Sequence, residues 1–462
     1  MKFTETTTEF VKHNIPETIP YAGGEYTLTL KRDVVEVKSA ASSNTDIVWG
    51  YRVKYNDQIK ITKDFDEASE SVTITIEAND TDKERQVAVE FSSDSLKTWY
   101  PIAFAKQELN PEMLPKNAVT VVVGQEYLSD KGFYDAVIWL DGKRFAFTNG
   151  EHDSFCNAVC TYKDSVFVAA CEAVGELVKD EWYGDYNENN GVVYSFKIGE
   201  EDKFKRTVYN DVKGKSTASG VSYSNGNIYV SGFDTPDGFN RRALYWKNSQ
   251  KVELTDGSTD ALAYCIASDG DDVYVGGYIQ DANNKREGAA VIWKNGVAQK
   301  LTGEGVLAKV TRIVIDGGHV YAAGAYRDQV AETSWQGAIW IDGELTLFTE
   351  PKAVDVAGLY VKDGQWIVNG NMTLDDNIQA HNWYSDGTVE NLSPKASLCQ
   401  GLGVTMLGED VLSITNSCLG YTENYDEIWK SYLLRGKSLT PVEMEINSPD
   451  NYTFWDVKIA RY

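Results

Sequence analysis

The stretch AVIWKNGVAQKLT, residues 290–302, runs apolar up to a tryptophan, turns at Asn295-Gly296 and resumes as a second extended run. It is one copy of a unit. ALYWKNSQKVELT (243–255), AIWIDGELTLFT (338–349) and AVIWLDGKRFAFT (136–148) follow the same plan, and the tryptophan recurs at Trp139, Trp246, Trp293, Trp340 and Trp383. GVVYSFKIG (191–199) and KSYLLRGKSL (430–439) are weaker copies. Spacings of about 45–50 residues, with one longer interval, are those of a blade-type repeat.

Ahead of each tryptophan lies another apolar run: NIYVSG (227–232), DVYVGG (272–277), HVYAAG (319–324) and QWIVNG (365–370). A third alternating run, such as ALAYCIASDG, precedes that one. Each unit therefore reads as strand A, tight turn, strand B, longer loop, strand C, tight turn, strand D. Asn225-Gly226, Asp269-Gly270 and Asp363-Gly364 supply the A–B turns; Asp141-Gly142, Asn295-Gly296, Asp342-Gly343 and Asp386-Gly387 supply the C–D turns. These pairs tolerate the positive φ that two-residue hairpin turns require.

Four antiparallel strands repeated radially make a β-propeller, and seven third strands give seven blades. The chain enters at strand B, AVTVVVGQEY (118–127), and ends in FWDVKIARY (454–462), an unpartnered strand A. Pairing of these two closes the ring without leaving a sheet edge. Gly276-Gly277 after DVYV resembles the double glycine that ends the second strand of a kelch repeat. Most copies here carry one glycine, and the tryptophan sits on strand C. The likeness covers 118–462 as an architecture.

Residues 1–107 lack the tryptophan–turn unit but alternate apolar and polar residues through GGEYTLTL (23–30), DIVWGYRV (46–53), SVTITIEAND (71–80), RQVAVEFSS (85–93) and WYPIAFAKQ (99–107). This pattern predicts a small β-sandwich. Gly23-Gly24, Trp49, Ala78-Asn79, Arg85 and Gln107 together resemble a BACON domain, the immunoglobulin-like module of Bacteroidetes surface proteins and of their phages. The resemblance implies an Ig-like spacer or carbohydrate-associated module, with Trp49 in its core. ELNPEMLPKN (108–117) is the expected linker, stiffened by Pro111 and Pro115. The predicted fold is thus all-β: a sandwich over 1–107 and a seven-bladed propeller over 118–462.

Forty-four Lys and Arg against 69 Asp and Glu leave a net charge of −25. Such a field repels nucleic acid and anionic membrane surfaces, so neither is an expected partner. No run of about 18 apolar residues predicts membrane insertion. MKFTETTTEFVKHNIPE has no signal-peptide core. The expected location is periplasmic or cell-surface if an export signal preceded this chain, and virion-associated or cytoplasmic otherwise.

G-x-S-x-G, H-E-x-x-H and Walker motifs are absent from the sequence. The four histidines share no zinc spacing. SDGDD (268–272) lacks calcium-ligand spacing and reads as a turn, so no cofactor is expected. Counting outward from a Gly408-Glu409 turn places Cys399 opposite Cys418, within disulfide reach.

The B–C loops are all read as long and rich in aromatics and carboxylates. They share one propeller face with the D–A loops, the face on which a rigid scaffold presents binding residues. The candidate ligand-binding set is Tyr127, Tyr134, Trp182, Tyr183, Asp185, Tyr186, Phe239, Tyr278, Tyr326, Asp328, Trp335, Tyr421, Tyr425 and Trp429. Flat rings beside hydrogen-bonding groups suit sugars, and Tyr and Trp equally suit protein interfaces. The expected function is non-enzymatic binding of a glycan or surface glycoprotein. The alternatives are a structural part of a virion or surface assembly with a protein partner, of the Bacteroides phage tail or fibre type, and a glycan hydrolase or lyase. For the last, Asp153, Asp185, Asp260 and Asp355 are the candidate carboxylates.

Overall fold

The structure, a computed structural model, describes residues 3–37, 50–55, 58–63, 71–79, 84–92, 99–108, 117–147, 152–174, 188–209, 216–235, 240–350, 352–374, 377–393, 398–421, 427–447 and 452–462. The chain divides into two compact units, Met1–Lys116 and Asn117–Tyr462. The described elements are strands and one 3₁₀ turn at Glu201–Lys203. Among the described residues no helix is long and apolar enough to cross a membrane.

The first unit packs two sheets. Phe3–His13, Gly24–Val37 and Ser71–Ile76 form one; Thr18–Ile19, Tyr100–Gln107, Arg85–Ser92, Gly50–Tyr55 and Gln58–Lys63 form the other, each in that spatial order. Alternate residues point inward, so Leu28, Ile74 and Ile76 meet Val53, Val87, Val89 and Phe91 in one core. Several residues that carry the BACON resemblance form a hydrogen-bonded knot at one end. Arg85 Nε donates to Gln107 Oε1 at 2.9 Å, and Gln107 Nε2 to Glu77 O at 2.8 Å. Arg85 Nη2 reaches the carbonyls of Glu77 and Ala78, and Asn79 Nδ2 that of Glu108. Trp49 and residues 109–116 of the expected linker lie outside the described residues.

The second unit holds seven four-stranded antiparallel sheets. Sheet I takes Ala118–Leu128, Phe133–Leu140 and Lys143–Ala146 as strands B, C and D, and Tyr452–Arg461 as strand A. Sheets II–VII begin at strands A Ser154–Tyr162, Ser216–Ser224, Ala261–Asp269, Val306–Asp316, Asp355–Lys362 and Cys399–Leu407, each followed by its own B, C and D. One parallel bridge, Gly288 to Leu307, joins sheets IV and V. The strands A lie against one another in cyclic order, that of sheet VII meeting that of sheet I, which meets that of sheet II. The unit is an all-β, propeller-like arrangement. Its two ends are stitched together: the N–H of Asn117 donates to the carbonyl of Tyr462 at 3.0 Å, and the reverse bond is 3.2 Å.

The repeat has a chemical reason at each position. Asn295 (φ 51°) and Gly296 (φ 85°) make the turn, and Asn295 Oδ1 also accepts the N–H of Val273 at the start of strand B, 2.8 Å away. Asp141, Asn248 and Asp342 do the same for Thr120, Ile228 and Val320. The threonine that closes the unit returns to strand C: Thr302 Oγ1 accepts from Ala290, as Thr255 does from Ala243 and Thr349 from Gly337. Trp139, Trp246, Trp293, Trp340 and Trp383 are all buried.

Every strand A carries a β-bulge at the same place, leaving Asn157, Ser219, Tyr264, Thr311, Ala357, Leu402 and Trp455 as the extra residues of sheets II, III, IV, V, VI, VII and I. Beside the bulge strand B approaches closely. A Cβ at Gly277 would stand 1.9 Å from Leu262 O and 2.9 Å from the Trp293 ring, which is why glycine ends that run.

Three expectations are corrected. The bulge at Leu402 shifts the register by one, so Cys399 faces Ser417 (Sγ to Oγ 3.0 Å) while Cys418 faces Trp429. The pair is therefore not juxtaposed, and all six cysteines are free. The A–B turn of sheet IV is Gly270-Asp271, since Asp269 pairs with Asp272. Not every B–C connection is long. It is 129–132 in sheet I and only 375–376 in sheet VI, where both strands extend until Leu374 pairs with Asn377.

Candidate functional site

The structure gathers part of the sequence-derived set into one cleft on the face of the B–C and D–A connections. Tyr278, at the end of strand B in sheet IV, and Trp335, on the B–C loop of sheet V, both line it. The cleft measures about 290 Å³, at the lower end of small-molecule sites. Tyr278 lies across Gly288, where a Cβ would stand 2.1 Å from the ring. Asp260, one of the carboxylates considered for hydrolysis, also lines it, and the other walls, Arg241, Tyr264, Gln280, Leu307 and Lys309, were not singled out from sequence. Tyr264 is the bulged residue of strand A, so its ring is turned out of the regular alternation of the strand.

The charges in the cleft are paired. Arg241 donates from its backbone N–H (3.0 Å) and Nε (2.8 Å) to Asp260 Oδ1, and from Nη2 to Oδ2. Burial would raise the Asp260 carboxyl, but the hydrogen bonds and charge of Arg241 outweigh it and hold the group below the usual range. Lys309 Nζ lies 2.9 Å from Asp355 Oδ1 and 5.9 Å from the centre of the Trp335 ring. Burial, opposed by Arg241 and reinforced by Asp260 and Asp355, raises the Tyr264 phenol; burial and then Asp260 raise that of Tyr278. Both phenols therefore remain protonated and able to donate. A wider depression of about 520 Å³ beside Glu253, Thr255 and Asp256 has no aromatic wall.

The other candidates separate. Tyr127 and Tyr134 face each other across strands B and C of sheet I, ring centres 5.1 Å apart. Tyr326 packs on the core between sheets IV and V. Asp328 Oδ1 accepts the N–H groups of Val330 and Ala331 and so closes its own loop. Trp429 is partly exposed on sheet VII. Trp182, Tyr183, Asp185, Tyr186, Phe239 and Tyr425 lie outside the described residues, as does the side chain of Tyr421. Of the carboxylates considered for hydrolysis, Asp153 accepts the N–H of Tyr134 at 2.9 Å, and Asp260 and Asp355 are the ion-paired groups above. Among the described residues no cluster of three or more His, Cys, Asp or Glu side chains is placed to hold a metal ion.

No family model and no curated protein sequence matches the chain. Among solved structures it is similar to a Mycobacterium tuberculosis puromycin-hydrolyzing peptidase, at 9% identity and TM-score 0.43 over 71% of this chain and 53% of that one. It is also similar to the Pyrococcus horikoshii acylaminoacyl peptidase, at 13% identity and TM-score 0.39 over 69% and 49%. A Clostridium thermocellum alpha-L-arabinofuranosidase matches at 12% identity and TM-score 0.28 over 52% and 92%. The chain thus spans about half the length of the two peptidases.

Proposed function

We propose that the seven sheets form a seven-bladed β-propeller and that the protein binds a glycan, free or carried on a surface glycoprotein, in the cleft between sheets IV and V. The observation that carries this reading is the convergence of three aromatic side chains, Tyr264, Tyr278 and Trp335, with the donors and acceptors of Arg241, Asp260, Gln280 and Lys309. Sugar C–H faces stack on such rings, and hydroxyl groups exchange hydrogen bonds with fixed polar partners. Because Arg241, Asp260 and Lys309 are already ion-paired, they present oriented hydrogen-bonding groups without unbalanced charge.

The same pairing argues for binding rather than hydrolysis. A general acid needs a carboxyl whose pKa is raised toward the working pH, and Arg241 moves Asp260 the other way. The N-terminal sandwich acts in this reading as a BACON-like spacer.

A glycan array probed with the full chain and with Trp335→Ala tests the proposal. The expected result is specific binding by the unaltered protein that falls at least about tenfold in the variant, a loss of about 1.4 kcal/mol, at an unchanged melting temperature. Absence of glycan binding, or binding indifferent to Trp335, overturns it.

A further inference from the structure

The seven bulges fall at equivalent positions of the seven strands A, which lie against one another in cyclic order around a central space. Five of the bulged residues are small, aliphatic or committed to a neighbour. Asn157 Nδ2 donates to the carbonyl of Ala218 on the next strand A at 2.8 Å, and Thr311 Oγ1 to that of Val356 at 2.8 Å. Ser219 and Ala357 are small, and Leu402 is buried. Only Tyr264 and Trp455 are aromatic. In the cyclic order of strands A, Trp455 lies three strands from Tyr264 in one direction and four in the other. The two positions therefore lie on opposite sides of the ring of strands A.

Trp455 is no ordinary core residue. It is 36% exposed although its neighbours Phe454 and Asp456 are buried. Its strand pairs with strand B of sheet I and packs against the strands A of sheets II and VII, so it belongs to the ring of strands A. The indole is also held: Nε1 donates to Gln125 Oε1 at 3.2 Å. Asp456 anchors the bulge by accepting the N–H of Val159 at 3.0 Å on the next strand A. A fixed aromatic face in water costs little further ordering when a ligand lands on it.

We infer that Trp455 is a second aromatic subsite for the ligand of the Tyr264–Trp335 cleft, and that this ligand is an oligosaccharide chain laid across the mouth of the central space rather than a single terminal sugar. The inference rests on the carbohydrate reading above and goes beyond it in assigning the residue and the length of the ligand. A disaccharide occupies the cleft alone. A longer chain reaches Trp455 and gains its stacking.

The test is isothermal titration of the full chain with xylo-, cello-, manno- and chitin-oligosaccharides of two to six residues, for the unaltered protein, Trp455→Ala, Trp455→Phe and Trp335→Ala. The expected result is affinity for at least one series that rises about tenfold from the dimer to the hexamer, the scale of one aromatic contact. That rise disappears in Trp455→Ala and largely returns in Trp455→Phe, while dimer binding is unchanged in both. Unchanged dimer binding also shows that the variants fold. Trp335→Ala weakens dimer and hexamer alike. A flat length dependence, or a rise that survives Trp455→Ala, overturns the second subsite and leaves the cleft standing. No binding of any series by the unaltered protein overturns both.

Discussion

Asp135 is a carboxylic acid almost wholly withdrawn from water. It is buried on strand C of sheet I, directly across from buried Glu126, and its Oδ1 has no hydrogen-bond partner. Burial pushes its carboxyl up to about 6, opposed by the charges of Arg144 and Lys131 and reinforced by that of Glu126. Folding therefore binds the proton more tightly than the unfolded chain does. The stability this contributes is full only below the unfolded carboxyl's range, under about pH 3, and is lost progressively as pH rises through 6. Asp135→Asn should remove that part of the pH dependence and raise stability at pH 8 by about 2 kcal/mol, read from urea denaturation between pH 4.5 and 8. A variant whose curve keeps the parent slope would assign the slope elsewhere. Nothing around Asp135 in the sequence announces this, since AVIW after it reads as any strand and burial of the acid depends on which sheet packs above. The cysteine pair failed for a related reason: a bulge adds one residue without a side-chain signature, and one residue is enough to turn Cys399 away from Cys418.

At the level of strands and turns the sequence was most informative where chemistry is restrictive. Asn-Gly and Asp-Gly pairs locate turns because few other residues accept positive φ, and the tryptophans locate strand C because each fills the space between sheets. The glycine inside strand B is legible as a marker but not as a mechanism; its reason is the bulge opposite. Gly277→Ala should thus cost about 2–3 kcal/mol, the scale of overpacking in a closed core, since the methyl group meets Leu262 O and the Trp293 ring. Equilibrium unfolding measures it, and a loss under 0.5 kcal/mol would show that strand A yields instead. The candidate cleft was only half visible beforehand. Tyr278 and Trp335 follow from loop composition, whereas Arg241, Lys309 and the bulged Tyr264 belong to strands or their approaches, where no motif distinguishes a wall of a cleft from surface.

For the whole second unit, the decisive contact is between residues far apart in the chain. Tyr452–Arg461 supplies strand A of sheet I and packs against the strands A of both neighbours. Deletion of 452–462 should leave the strand edge of 118–128 bare and open the core formed by Trp139, Phe454 and Val457. The expected outcome is loss of the cooperative thermal transition of this unit, followed by calorimetry. A transition retained at the parent temperature would mean that six sheets and three strands suffice. The same pairing has a mechanical corollary. Ala118 and Arg461 are partners at the open end of an antiparallel ladder, so tension applied between residues 117 and 462 loads its hydrogen bonds one after another rather than together. Under such a load the unit yields as a zip does, starting at the seam.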